Sequence, residues 1–291
     1  MSIVVTGATG NLGGLAVDAL LRRGAEPDSV IAVGRNTERL ELRAERGVRT
    51  VAIDYQERDS LQSAFEGAEK LLLVSGSDIG QRVEQHRNVV ESAARAGVEL
   101  LVYTSILRAD SATQLLAGEH QATEELLSSS GIPHVLLRNG WYFENYTSQI
   151  PSYLENGAIV GAAGEGRISG ASREDYAEAA AAVLTNSDQA GAVYELGGDR
   201  AFTMAELAAE LSRQTRRDIA YRNLGVDDYA ELLASFGLPE PAARTYADGD
   251  RAVADGELYV ETGDLSRLIG RSTTPLSEAI SAALDPAGVS R

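Results

Sequence analysis

The stretch Val4-Val-Thr-Gly-Ala-Thr-Gly-Asn-Leu-Gly-Gly14 has glycines spaced three residues apart, directly after an apolar segment. Ser2–Thr6 is predicted to be a buried strand, and the helical periodicity of Leu12–Arg23 predicts a helix. Free backbone N–H groups and the positive end of the helix dipole would meet at the turn between them, where a dinucleotide pyrophosphate can bind. A tight turn without a ligand is the alternative. We assign the binding residues as Gly7, Thr9, Gly10, Asn11, Leu12 and Gly13.

Apolar, β-branched segments alternate with amphipathic helical segments through the first half of the chain. The predicted strands are Ser2–Thr6, Val30–Val33, Thr50–Ile53, Leu71–Val74, Leu100–Tyr103 and Val135–Arg138. The predicted helices are Leu12–Arg23, Glu38–Arg46, Ser60–Phe65, Gln81–Ala96 and His120–Ser128. Continuous apolar strands separated by helices indicate a parallel sheet that is covered on both faces and doubly wound. Residues 1–150 are therefore predicted to form an α/β Rossmann-type domain.

The alternation changes after Arg138. Residues 151–291 are interpreted as a smaller, substrate-binding α/β cap, of which the segment near 193–197 could return to the main sheet. Thr203 with Glu206 three residues later is a capping-box pattern that predicts a helix start. The other predicted elements are a flexible glycine-rich loop at Gly157–Gly170, a helix at Arg173–Leu184, strands at Val193–Leu196 and Ile219–Leu224, and helices within Val226–Leu284.

The composition limits the classes of partner. The 291 residues are 44% hydrophobic, enough for one large or two smaller cores, and their formal net charge is −17. Such a surface repels nucleic acid and anionic lipid, so we expect neither as a partner.

No apolar run approaches the ~20 residues that span a bilayer, and no basic segment precedes the first strand, so a cytoplasmic protein is expected. The absence of cysteine excludes thiolate chemistry, and we assign no metal site. The oligomeric state stays open.

The second strand ends in an arginine where NAD-specific domains place an acid. Arg35 lies 22 positions after Gly13, close to the ~20-residue spacing of the residue that binds the adenosine ribose. An arginine there would pair with the 2′-phosphate of NADP(H), and a solvated surface arginine is the alternative. Arg39, on the next helix, is a second candidate for the same phosphate. Asp54 follows the third strand and could approach the adenine or cap the next turn.

Small and polar residues follow the fourth, fifth and sixth strands. Open α/β sheets bind ligands beyond the carboxyl ends of their strands, so these residues are predicted to outline one crevice. Each of them could equally be a turn residue. We assign Ser75, Gly76, Thr104 and Asn139 to cofactor binding, with Ser105 and Gly140 beside them.

Four segments carry a family resemblance: Thr6-Gly-Ala-Thr-Gly-Asn-Leu-Gly13, Glu69-Lys-Leu-Leu-Leu-Val-Ser75, Gln85-His-Arg-Asn88 and Leu136-Leu-Arg-Asn-Gly-Trp-Tyr-Phe-Glu-Asn145. Together they resemble the NmrA-like, atypical branch of the short-chain dehydrogenases/reductases. Within that branch the chain looks most like the NADPH-dependent quinone oxidoreductases. The resemblance extends over nearly the whole chain. It implies NADPH as the cofactor and two-electron reduction of a quinone without flavin.

The Tyr-x-x-x-Lys pair of typical short-chain dehydrogenases is missing. No tyrosine lies between Tyr103 and Tyr142, and Lys70 is the only lysine. A quinone fits this loss, because aromatisation drives its reduction and less proton assistance is needed. His120, near the position of the missing tyrosine, is assigned as a proton donor or hydrogen-bond partner of the quinone, with a surface histidine as the alternative. Tyr142 is assigned to the same site, in the run Trp141–Phe143 that forms either aromatic walls or core.

Three other titratable residues are expected to lie outside the site, and His134 among them is expected to be structural or exposed. His86 lies near the apolar stripe of its helix and is predicted to pack in the core. His134 and Lys70 lie at the starts of strands, at the end of the sheet away from the crevice.

The sequence therefore predicts an NADPH:quinone oxidoreductase that passes hydride directly to a quinone held under the C-terminal cap. A redox-sensing regulator that binds NADP(H) and a protein partner without turnover is the alternative. The aromatic run and the Gly157–Gly170 segment, interpreted as pocket wall and lid, favour the enzyme.

Overall fold

Seven parallel strands form the main sheet. A computed structural model describes residues 1–285. Its strands are β1 (Ile3–Val5), β2 (Val30–Gly34), β3 (Arg49–Ala52), β4 (Lys70–Leu73), β5 (Leu100–Ile106), β6 (His134–Asn139), β7 (Ala158–Gly161), β8 (Val193–Leu196) and β9 (Ala220–Asn223). The order across the main sheet is β3-β2-β1-β4-β5-β6-β8, with every neighbour parallel. The strand order reverses between β1 and β4, which is where such a sheet opens a ligand crevice. The predicted Rossmann-type α/β fold is confirmed.

Thirteen α-helices accompany the strands within the described residues. They are α1 (Asn11–Arg22), α2 (Thr37–Ala44), α3 (Arg58–Phe65), α4 (Arg82–Ala96), α5 (Ala117–Ser130), α6 (Glu144–Thr147), α7 (Ile150–Asn156), α8 (Arg173–Thr185), α9 (Met204–Thr215), α10 (Val226–Ser235), α11 (Glu240–Ala254), α12 (Asp264–Ile269) and α13 (Leu276–Leu284). Within residues 1–285, none of them has the length and apolar character that a membrane crossing requires.

Each face of the main sheet packs on its own layer of helices. Side chains alternate along a strand, so Ile3 and Val5 point into one core and Val4 into the other. Helices α1, α8 and α12 cover the first face, and α3, α4 and α5 cover the second. Because both faces are buried, strand residues pointing either way must be apolar, which explains the continuous apolar runs in the sequence.

A smaller α/β unit is built from the second half of the chain. Strands β7 and β9 pair in parallel, and a third core joins them to α6, α7, α9, α11 and α13. Helix α9 begins at the predicted capping box. The Thr203 hydroxyl accepts from the Glu206 backbone N–H at 3.1 Å, and the Glu206 carboxylate accepts from the Thr203 N–H at 2.8 Å.

The second half also contributes to the main sheet. Strand β8 extends the sheet beside β6, so the segment near 193–197 does return to it. Helix α8 packs against α1, and α12 packs against α8. The chain after residue 150 therefore supplies part of the first core as well as the whole of β7 and β9.

The prediction of a flexible loop at Gly157–Gly170 is wrong. Residues Ala158–Gly161 form β7, and Ile168 pairs with Phe202. Side chains distant in sequence fix this segment, since the Asp250 carboxylate accepts from the Ala162 N–H at 2.7 Å. The Tyr221 hydroxyl accepts from the next N–H, at 2.9 Å. The segment lines neither cavity of the candidate site, so it does not form the expected lid.

Candidate active site

The glycine turn after β1 forms a cradle for an anion. Gly7 has φ +61°, in the left-handed region that favours glycine. A Cβ on Gly13 would lie 2.3 Å from the Gly7 carbonyl oxygen, so only glycine lets α1 start this close to the turn. Helix α1 has no side-chain cap. Within residues 1–285, the N–H groups of its first turn, from Asn11 to Gly13, have no protein acceptor. Unpaired N–H groups at a helix N-terminus suit the negative charge of a pyrophosphate.

A groove of about 410 Å³ runs along the carboxyl ends of β1, β2, β3 and β4. It brings together most of the residues that the sequence assigns to the cofactor. These are Gly7, Thr9, Gly10, Asn11, Leu12, Gly13, Arg35, Asp54, Ser75 and Gly76. Other residues that were not predicted from the sequence line the same groove, and these are Gly34, Ile53, Tyr55, Val74, Ser77, Asp78 and Gln85. Gln85 lies on α4, and the others lie at or near strand ends.

Arg35 lies exposed at the edge of this groove. Its Nη1 is 3.3 Å from the Asp78 carboxylate, on the loop after β4. An ion pair between exposed groups is weak, so this contact leaves the guanidinium available to a phosphate. Asp54 also lines the groove, while its carboxylate accepts from the Gln56 N–H at 2.9 Å.

Arg39 lies on the other side of the glycine turn. Its Nη1 donates to the Thr9 carbonyl oxygen at 2.7 Å, and it lines a neighbouring cavity rather than the groove. In this arrangement Arg39 supports the backbone of the turn from outside. The structure does not place it beside Arg35 in the groove.

The structure does not place Thr104 or Asn139 in the groove either. Thr104 is buried, and its hydroxyl accepts from the Ser75 N–H at 2.9 Å, so it supports the groove wall from beneath. Asn139 lines a second cavity next to the groove. Both residues follow the rule that strand ends border the crevice. Which way each side chain points depends on the neighbouring strand.

His86 holds the loop after β4 in place. It is fully buried, as predicted, and its Nε2 accepts from the Gly76 N–H at 3.0 Å. A backbone N–H can only donate, so the ring proton must be on Nδ1, which lies 3.0 Å from the Thr123 hydroxyl. Burial lowers the pKa of His86 to about 3, so the ring stays neutral. Arg82 fixes the same loop by donating to the Gly76 carbonyl oxygen at 2.6 Å.

A second cavity of about 350 Å³ adjoins the groove and shares Ser75 and Tyr142 with it. Its polar lining includes Ser105, His120 and Asn139, from the ends of β5 and β6 and the start of α5. The rest is largely apolar, and among the described residues none that lines the cavity is acidic. Arg173 is the one charged side chain among the described residues that line it, and its guanidinium lies over the ring of Tyr142. A mostly apolar cavity beside a groove for a charged cofactor suits a largely apolar substrate with polar oxygens.

His120 lies in the wall of the second cavity and is only 4% exposed. Its Nδ1 is 2.8 Å from the hydroxyl of Tyr103. Burial, with a smaller contribution from the nearby Arg82 charge, lowers the pKa of His120 to about 3. Burial also raises the pKa of Tyr103. Both groups are therefore neutral near pH 7, which makes His120 a hydrogen-bonding group rather than a charged acid.

Tyr142 separates the two cavities. Its hydroxyl accepts from the Asn139 side-chain amide at 3.3 Å, and burial raises its pKa, so it stays protonated. The Arg173 guanidinium lies 4.9 Å from the centre of its ring. Within the aromatic run, Trp141 and Tyr142 line the second cavity, whereas Phe143 packs in the third core.

Arg138 fixes the strand ends that carry these side chains, and the sequence analysis gave it no role. It is buried and paired with three carboxylates, those of Glu124 at 2.7 Å and of Asp110 and Glu195 at 2.9 Å. The Ser105 hydroxyl donates to Glu124 at 2.6 Å. A fully paired buried charge of this kind specifies the geometry of β5, β6 and α5. An arginine inside an apolar strand was the signal in the sequence.

Lys70 and His134 lie where the sequence predicts. The Lys70 Nζ donates to the carbonyl oxygen of Leu184 at 2.6 Å, at the carboxyl end of α8. The His134 Nδ1 is 3.0 Å from the Ile132 carbonyl oxygen. Neither residue lines the groove or the second cavity.

Comparison with known proteins places the chain in a family. Quinone oxidoreductase 2 of Escherichia coli (strain K12) is 45% identical over 279 residues, which cover 96% of this chain and 97% of that protein. The crystal structure of the NADPH-dependent quinone oxidoreductase QOR2 from E. coli, complexed with NADPH, matches with a TM-score of 0.94 at 44% identity, covering 97% of this chain and 99% of that one. The triphenylmethane reductase of Citrobacter sp., complexed with NADP(H), matches with a TM-score of 0.92 at 36% identity over 97% of this chain and 100% of that one. The sequence model of the NmrA-like family matches residues 1–259, and this chain belongs to that family.

Proposed function

We propose that this protein is an NADPH-dependent oxidoreductase that transfers a hydride directly to a quinone without flavin. The observation that carries the proposal is the pair of adjoining cavities that share Ser75 and Tyr142. One cavity suits a phosphorylated dinucleotide and the other suits a neutral planar molecule. The high identity to an NADPH-dependent quinone oxidoreductase bears out the predicted enzyme class and cofactor.

The groove residues fit NADPH. The unpaired N–H groups from Asn11 to Gly13 would hold the pyrophosphate, and the exposed guanidinium of Arg35 would hold the 2′-phosphate. NADPH, when bound, supplies the hydride. The protein's part is to hold the donor and the acceptor together and to exclude water from between them.

His120 would stabilise the reacting quinone oxygen. If the Tyr103 hydroxyl donates to Nδ1, the ring proton lies on Nε2, which has no hydrogen-bond partner among the described residues. A neutral imidazole can donate that hydrogen bond to an oxygen that gains negative charge as hydride arrives. Hydride transfer leaves a hydroquinone anion, which needs one further proton and takes it from solvent.

The alternative, a sensor without turnover, would leave the second cavity without a ligand. A structure of mutant NmrA matches with a TM-score of 0.80 at 15% identity, which shows the fold alone. The enzyme hypothesis therefore accounts for both cavities, whereas the sensor hypothesis accounts only for the groove.

The proposal is tested by following NADPH oxidation with and without a panel of benzoquinones and naphthoquinones, and again with NADH. We expect oxidation that depends on the quinone and prefers NADPH. Tight NADPH binding without turnover on any quinone would instead support the sensor.

The cofactor assignment is tested with Arg35→Ala. Loss of a charged hydrogen bond to phosphate should raise KM for NADPH by roughly 10- to 100-fold and change KM for NADH little. Arg95→Ala is the control, because Arg95 is exposed on α4 and lines neither cavity. Equal effects on the two cofactors would remove the 2′-phosphate assignment.

A further inference from the structure

In the second cavity, polar side chains are buried at the floor and apolar side chains are exposed at the opening, which is the reverse of the usual arrangement. Its polar side chains are deeply buried, with Ser105 only 3% exposed and Asn139 only 4% exposed. Two of its lining side chains are apolar or aromatic and face solvent, Ile79 with 58% exposed and Tyr246 with 60% exposed. Protein surfaces ordinarily place polar groups outside, so a buried polar floor beneath an exposed apolar mouth calls for a ligand of the same polarity.

Three separate segments form this mouth. Ile79 comes from the loop after β4, Tyr246 from α11, and Leu115 from the β5–α5 connection beside the lining residue Leu116. Leu115 is 61% exposed. Of the seven large apolar side chains that are exposed in residues 1–285, Ile79 and Tyr246 line this opening, and Leu115 is next in sequence to the lining residue Leu116. The chain carries a net charge of −17, so its composition does not explain why exposed apolar side chains concentrate at this opening.

The mouth is held in shape without a ligand. The Leu115 N–H donates to the Asp248 carboxylate of α11 at 2.6 Å. The hydroxyl of Thr113 donates to Glu257 at 2.6 Å. These contacts tie the β5–α5 connection to the segment that carries Tyr246. A preformed apolar surface loses little conformational entropy when a ligand covers it.

We propose that the substrates are quinones that carry an apolar alkyl substituent. The quinone oxygens would lie beside His120 and Asn139 at the floor, and the substituent would lie on Ile79 and Tyr246 at the mouth. This inference rests on the proposed function and names its substrate class. The volume of about 350 Å³ supports it, because pockets in the ~300–1,000 Å³ range suit ligands larger than a single ring.

The test uses naphthoquinones that are unsubstituted or carry a methyl, butyl or hexyl chain. One readout is kcat/KM with NADPH. The other is quenching of Trp141 fluorescence without NADPH, since Trp141 is the only tryptophan and lines this cavity. Burial of each methylene should improve both measurements by roughly two- to fourfold until the chain leaves the mouth.

Four variants test whether the mouth causes the gain with chain length. In Ile79→Ser and Tyr246→Ser, we expect a smaller gain per methylene in both readouts. Val193→Ser and Phe236→Ser are matched controls, because both side chains are exposed and neither lines the cavity, and the gain should be unchanged in them. A response that does not depend on chain length, or that is the same in all four variants, would overturn the inference. Quenching that grows with chain length while no quinone is reduced would overturn the proposed function and leave the apolar mouth supported.

Discussion

His120 and Tyr103 show how burial sets the chemistry of single residues. His120 lines the second cavity and Tyr103 is fully buried, and the two are neutral and bonded to each other at 2.8 Å. An enzyme that reduces quinones can use such a pair because the acceptor is already activated. The hydrogen bond orients the donor, and no group has to ionise.

Replacing His120 tests this role. We expect His120→Leu to lower kcat for quinone reduction by roughly 100- to 1,000-fold, the usual effect of losing one donor to a developing oxyanion. The Kd for NADPH should change little, since His120 does not line the groove. His134→Gln, outside both cavities, is the control.

The pH profile separates a neutral donor from a charged acid. Because the pKa of His120 is about 3, kcat of the unmodified protein should show no step near pH 6.5. A step there that disappears in His120→Leu would contradict a neutral imidazole.

At the scale of elements, the contact between the glycine turn and α1 joins stability to cofactor binding. In Gly13→Ala the new methyl group would meet the Gly7 carbonyl, which is backbone and cannot move aside. We expect loss of NADPH binding in fluorescence titration and a decrease of about 1–3 kcal/mol in the free energy of unfolding.

Gly118→Ala is the matched control for the glycine turn. Gly118 lies within α5, and a Cβ there meets no atom within 4 Å. The same substitution should leave NADPH binding unchanged and stabilise the protein by up to about 1 kcal/mol. If both variants bind NADPH normally, cofactor binding does not require the close approach of α1 to the turn.

At the scale of the whole molecule, buried titratable groups set the dependence of stability on pH. The pKa of His86 and of His120 is lowered from 6.5 to about 3, so between these values the unfolded chain binds protons that the folded chain excludes. Their contribution to stability is lost as pH falls below about 6.5. Asp250 acts in the opposite sense, because burial raises its pKa to about 6 and the folded chain binds its proton first.

The two histidines outweigh the one carboxyl group. We expect the free energy of unfolding, measured with urea, to fall by on the order of 2 kcal/mol between pH 7.5 and pH 5. His86→Gln should make this dependence shallower. Stability that is constant or higher at pH 5 would show that these histidines are not buried as neutral groups.

The sequence by itself determined the doubly wound sheet, the glycine turn and the arginine at the end of β2. These features are encoded locally, in the periodicity of apolar residues and in turns that only glycine can form. It also indicated His120, from its place near the position of the missing tyrosine, and Tyr142, from the aromatic run that follows the sixth strand.

Only the tertiary structure decided which side chains face the ligand. Thr104 points beneath Ser75 because β4 lies beside it, and His86 reaches Gly76 because the loop after β4 folds back over α4. The Gly157–Gly170 segment is ordered by contacts to Tyr221 and Asp250, more than 50 residues away in sequence. Such contacts follow from the packing of whole elements. No local pattern of residues carries that information.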